Sequence, residues 1–107
     1  MPTDTARGGN VGGLEVRAGD TGVLYLAGEF DLACERDFDA ALAMLGADHG
    51  SVTLDLSELT FMNSSALHSI AKLARHRRVT LRRPRSIVLR LLAVTGFDRR
   101  ERIRVEP

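Results

Sequence analysis

Residues 52–74 read Val-Thr-Leu-Asp-Leu-Ser-Glu-Leu-Thr-Phe-Met-Asn-Ser-Ser-Ala-Leu-His-Ser-Ile-Ala-Lys-Leu-Ala, a buried-strand pattern that passes through a polar elbow straight into a helix. Val52-Thr53-Leu54-Asp55-Leu56 has the apolar density of an interior strand, and Leu67, Ile70, Ala71 and Ala74 then recur at i, i+3, i+4 and i+7. The elbow itself, Asn63-Ser64-Ser65, places two hydroxyls and an amide where the first N–H groups of a helix lack intrahelical partners and the macrodipole is positive. Two uses fit such a place. One of the three residues caps the helix and the others are small, polar and exposed, or one hydroxyl carries a phosphate, which a helix N-terminus tolerates.

Strand and helix signals continue in both directions. Leu14-Glu15-Val16-Arg17 alternates, Ala18 to Gly22 reads as a turn, and Val23-Leu24-Tyr25-Leu26-Ala27-Gly28 is a second strand, which together make a hairpin. From Ala33 the period changes, with Cys34, Phe38, Ala41, Leu42 and Leu45 on one helical face and Gly46 as its stop. Val79-Thr80-Leu81 is a short strand. Pro84 is expected to open a third helix, with Val88, Leu91, Leu92 and Thr95 as its inner stripe and Gly96-Phe97 as a left-handed stop. Ile103-Arg104-Val105 is expected as an edge strand. The order β-β-α-β-α-β-α-β predicts a mostly parallel sheet of about five strands, its first strand antiparallel, with right-handed crossover helices mainly on one face. Residues 1–13, rich in glycine and poor in apolar side chains, are expected to be a flexible leader, and 14–107 a single domain.

Charge is divided unevenly along the chain. Residues 1–71 carry three arginines against eleven acids, a balance of −8, whereas residues 72–107 carry twelve basic residues against three acids, a balance of +9. Six arginines fall between Arg75 and Arg85, a density that would give steep salt dependence if they met phosphates. Single-strand sites usually interleave aromatics, and Phe97 is the only Phe, Tyr or Trp after residue 71, so the basic half reads as a face for a protein partner or for the acidic half. The lone Cys34 sits on an apolar stripe as a small core residue and cannot form an internal disulfide. With no apolar run of spanning length and no signal-peptide pattern, the expected compartment is the cytoplasm, without membrane insertion.

Enzymatic patterns are missing. There is no glycine-rich phosphate loop, no nucleophile elbow with flanking glycines, and no Cys/His/Asp cluster at metal-ligand spacing; His68 and His76 are two turns apart on a polar side. Asp31 and Asp55 lie near predicted strand ends, where catalytic carboxylates occur but where turn-forming acids are common too. No catalytic residue, cofactor or metal is expected.

Three segments carry a resemblance. Gly28-Glu29-Phe30-Asp31-Leu32-Ala33 is similar to the Gly-Glu-Leu-Asp-Leu segment of anti-sigma factor antagonists of the STAS superfamily. Leu54-Asp55-Leu56 through Phe61-Met62-Asn63-Ser64-Ser65-Ala66-Leu67 is similar to their strand and Asp-Ser-Ser-Gly-Leu elbow, and Thr95-Gly96-Phe97 to their Thr/Ser-Gly-Leu stop. The likeness spans residues 14–105 in the right order. Asn63 stands in place of the family's acid and Ala66 in place of its glycine.

The resemblance implies a non-enzymatic switch: an antagonist that docks on an anti-sigma factor of the histidine-kinase-like ATPase type and is released when the first serine of the elbow, here Ser64, is phosphorylated. The implied partner-binding residues are Asp31, Leu32, Met62, Asn63, Ser64, Ser65, Ala66, Leu67 and His68. An alternative within the same superfamily is a non-switching scaffold subunit of another complex, such as a lipid-transporter ATPase, with the elbow as a static contact.

Overall fold

In the computed structural model, which describes residues 13–19, 22–31, 35–44 and 50–107, the chain runs β1 (Leu14–Ala18), β2 (Val23–Phe30), α1 (Glu35–Met44), β3 (Ser51–Met62), α2 (Ser64–Ala74), β4 (Arg78–Arg82), α3 (Ser86–Thr95), a 3-10 turn (Phe97–Arg99) and β5 (Ile103–Glu106). Except for Gly13, the leader expected over residues 1–13 lies outside the described residues, as do Leu32, Cys34 and the stop expected at Gly46.

The strands form one sheet in the order β1-β2-β3-β4-β5, antiparallel between β1 and β2 and parallel from there on, as the element order predicts. Three successive crossovers that all step the same way across a sheet, each right-handed, set their helices on the same face. That face holds the core: Leu24, Leu26, Val52, Leu54, Leu56, Val79, Leu81 and Ile103 point into it, alternating with half-buried Val23, Tyr25, Thr53 and Thr80. Phe38 is the one fully buried side chain of α1 and meets Phe30 at 4.9 Å between ring centres, in a tilted arrangement.

The strand expected over 52–56 runs twelve residues, to Met62. Its inward positions are 52, 54 and 56, then 59 and 62, so the period of two gives way to steps of three. Register explains the change. Between Tyr25 and Ala27 of β2, β3 advances from Asp55 to Glu58, and between Gly28 and Glu29 it advances from Leu59 to Phe61. Each shift inserts one extra residue in β3, a bulge that rotates the following side chains back onto the core face. Asp55 is thereby a mid-strand residue, not a strand-end one as the sequence predicts.

The helix ends follow local chemistry. α3 begins at Ser86 with Arg85 as N-cap, so Pro84 precedes the helix instead of opening it; as the residue before Arg85 it fixes the entry of the chain. At the other end Gly96 has φ +78°, its N–H reaches Ala93 and Leu92 carbonyls, and Phe97 is buried, as the glycine-plus-apolar stop predicts. Thr95, expected on the inner stripe, is exposed, its hydroxyl turned back to the Leu91 carbonyl at 2.8 Å.

Candidate functional site at the strand–helix elbow

At the carboxyl ends of β2 and β3, Phe30 pairs with Met62 and the Asn63 N–H bonds the Phe30 carbonyl at 3.3 Å. Asp31 and Asn63 therefore leave neighbouring strands side by side, so two segments far apart in sequence meet at one end of the sheet. Asn63 keeps an extended backbone, and its side-chain oxygen accepts from the N–H groups of Ser65 at 3.0 Å and Ala66 at 3.2 Å. Of the three elbow residues, Asn63 is thus the cap. Asn63→Ala is expected to cost about 1 kcal/mol, read in urea unfolding, with the loss concentrated in helix α2.

That assignment leaves Ser64 without a structural duty. It is the first residue of α2, it is exposed, and among the described residues nothing hydrogen-bonds its hydroxyl. Ser65 and Asp31 are half-buried and His68 is exposed on the outer side of α2. Met62, Ala66 and Leu67, expected at a partner surface, are instead in the core, with Ala66 fully enclosed. The β3 bulges turn Met62 inward, and Ala66 and Leu67 fall on the inner stripe with Ile70. Their side chains hold the elbow against the sheet, and the surface of the elbow is made by Asp31, Asn63, Ser64, Ser65 and His68. Leu32 lies outside the described residues. Phe61, one residue before Met62, faces out and is 42% exposed.

The second acid considered from sequence has a different occupation. Asp55 is 1% exposed and its carboxylate is filled by donors: Oδ1 takes the Ser57 N–H at 3.0 Å and the Ser57 hydroxyl at 2.7 Å, while Oδ2 takes Arg82 Nε at 3.1 Å and Arg83 Nη2. Burial pushes its pKa up, but hydrogen bonds from Arg83 and Ser57 and the Arg83 charge outweigh burial and hold it at about 2. A carboxylate so held stays ionised and offers no proton traffic near neutral pH.

Much of the Arg75–Arg85 run is likewise engaged within the fold. Arg82 and Arg83 clasp Asp55, and Arg85 Nε donates to the Ser57 carbonyl at 3.0 Å. Lys72 of α2 adds a contact to Glu35 of α1 at 3.4 Å. Part of the basic half therefore neutralises acids of the first half, one of the two uses its charge division predicts.

A domain-family model described as "Mlab, STAS domain" matches residues 14–105. The chain belongs to this STAS family. Its fold resembles a crystal structure of an anti-sigma factor antagonist from Mycobacterium paratuberculosis, with TM-score 0.70, 22% identity, and coverage of 88% of this chain and 84% of that one. It also resembles the anti-sigma factor antagonist SpoIIAA in its unphosphorylated form, with TM-score 0.67, 14% identity, and coverage of 88% of each chain. At these identities the likeness establishes the shared fold. No curated protein sequence matches the chain. Among the described residues of this STAS domain, no helix is long and apolar enough to cross a membrane.

Proposed function

We propose that this STAS domain is an anti-sigma factor antagonist that binds an anti-sigma factor of the histidine-kinase-like ATPase type through the elbow, and that phosphorylation of Ser64 ends the complex. The observation that carries the reading is the division of labour at the elbow. Asn63 supplies the cap, so the Ser64 hydroxyl is exposed and uncommitted at the start of α2, one helical turn before His68.

The physics of the switch needs no change of fold. A phosphate brings about −1.5 to −2 charges to a position that a neutral hydroxyl occupies. Inside a docked interface that charge meets a surface shaped for a hydroxyl, and desolvating it opposes binding by several kcal/mol. In the unbound chain the same phosphate rests at a helix N-terminus, where it is tolerated.

The test compares proteins captured from cytoplasmic extract on wild-type, Ser64→Ala and Ser64→Glu baits, followed by incubation of the captured ATPase with the wild-type chain and ATP. Recovery of a histidine-kinase-like ATPase by wild type and Ser64→Ala but not by Ser64→Glu, with phosphate placed on Ser64, is the expected result. A second reading is favoured by the Mlab description of the matching model and by Asn63 and Ala66 standing where the antagonists carry an acid and a glycine. In that reading the elbow is a static contact of a scaffold subunit. Equal capture of one partner by all three baits, with Ser64 left unmodified, selects it and removes the switch.

A further inference from the structure

Helix α3 is apolar around most of its circumference. Of its ten residues, Ile87, Val88, Leu89, Leu91, Leu92, Ala93 and Val94 are apolar and Arg90 is the single charge. A helix of this composition is normally enclosed all round, yet only Val88 and Leu92 are buried, while Ile87 is 60% and Val94 78% exposed. Single exposed apolar residues are ordinary, but these are contiguous. With Phe61 and Met62 from the end of β3 they line a groove of about 260 Å³ whose wall carries Arg90. The groove opens beside the elbow, since Asn63 and Ser64 follow Met62 directly in the chain.

We propose that this groove, formed by Phe61, Ile87, Leu91 and Val94 with Arg90 in its wall, is a docking site for an acidic amphipathic segment of a partner protein. Charge chooses among the occupants. From Leu59 to Phe97 the chain has no Asp or Glu and eight basic residues, so the segment that builds the groove has no carboxylate to set against Arg90. A second copy presenting the same face would bring Arg90 towards Arg90 and supply no acid from either α3. A lipid surface is flat, and helices that lie on one carry several cations along a separate polar face, whereas α3 has one cation and no polar face. A concave apolar groove with one positive charge fits a segment that inserts apolar anchors and places a carboxylate on Arg90.

The test selects a random peptide display library on the full chain after depletion on an Ile87→Ser/Val94→Ser variant, whose exposed substitutions leave the core intact; circular dichroism checks that it folds. Enriched peptides are expected to combine large apolar residues with Asp or Glu. A synthetic peptide of the leading sequence should shift the amide resonances of Phe61, Ile87, Leu91 and Val94. Its affinity should fall about tenfold on Arg90→Glu and recover when its acids are changed to lysine. Enrichment of neutral or basic peptides, absence of enrichment, or shifts elsewhere on the domain overturns the proposal. So does sedimentation as a dimer that Val94→Ser dissociates, which assigns the face to a second copy, or flotation with phosphatidylglycerol vesicles, which assigns it to lipid. None of these readouts involves Ser64 or a kinase, so the groove stands or falls apart from the antagonist reading.

Discussion

Gly28→Ala is expected to lower the unfolding midpoint by about 15 °C, the consequence of a loss of about 3 kcal/mol in a domain of this size. Gly28 has φ +96°, a conformation that costs an L-residue with a Cβ roughly 1–2 kcal/mol. The larger effect is steric. A Cβ at Gly28 would stand 2.0 Å from the Gly13 carbonyl oxygen, which is backbone, and the same oxygen accepts the Glu29 N–H at 3.3 Å. Relief of the clash must therefore move the start of β1 away from β2 and break that bond. It also disturbs the second bulge, where the Thr60 hydroxyl reaches the Gly28 carbonyl at 3.0 Å. Gly50→Ala is the control, because an added Cβ there meets nothing within 4 Å and φ is not positive. Thermal unfolding by circular dichroism separates the two; a Gly28→Ala shift as small as that of Gly50→Ala would show that β1 yields freely.

What the sequence announces about Gly28 and what it hides have a physical reason. Glycine in the Gly-Glu-Phe-Asp segment is visible as a motif, but its positive φ arises from register with β1 and β3, which no local pattern contains. The length of β3 is hidden in the same way. Strict alternation ends at Leu56 because a bulge follows, and a period-of-two reading stops where the bulge begins. By contrast the Gly96-Phe97 stop, the hairpin and the parallel crossovers depend on local φ preferences and element order, which the sequence carries directly.

At the elbow, the sequence leaves three residues able to cap α2. Only the geometry chooses: Asn63 is the last extended residue after β3, so its side chain alone looks back over the first N–H groups of the helix. The same strand end decides which partner-surface candidates face out, since bulging turns Met62 inward and Phe61 outward. For α3 the signal is present as composition. Periodicity selects Val88 and Leu92 as inward correctly, but Ile87, Leu89 and Val94 are apolar without being needed for the core, and an apolar surplus of that kind marks a contact surface that a single-chain pattern leaves unexplained.

Asp55→Asn is expected to destabilise the domain by about 3 kcal/mol at pH 7 and to abolish one segment of its acid sensitivity. The bulge at Ser57 is the reason Asp55 matters. An extra residue in a strand leaves its N–H and carbonyl without ladder partners; here the Asp55 carboxylate takes the Ser57 N–H and Arg85 takes the Ser57 carbonyl. The amide that Asp55→Asn installs keeps one oxygen to accept from Ser57, but its NH₂ then opposes the donors of Arg82 and Arg83, turning two attractions into donor–donor contacts. Arg82 and Arg83 are 30% and 56% exposed and stay solvated, so the cost falls on the buried side of the cluster. The pH dependence follows with a definite sign. The folded-state pKa of Asp55 is depressed from 3.8 to about 2, so its contribution is fully present above the unfolded value and is lost as pH falls towards 2. A wild-type stability that drops by about 2 kcal/mol between about pH 4 and pH 2 more than that of Asp55→Asn, in urea unfolding at a series of pH values, is the expected outcome. Parallel pH curves for the two chains would mean that the arginines solvate an ionised and a neutral side chain equally, and that the bulge is held by Ser57 and Arg85 alone.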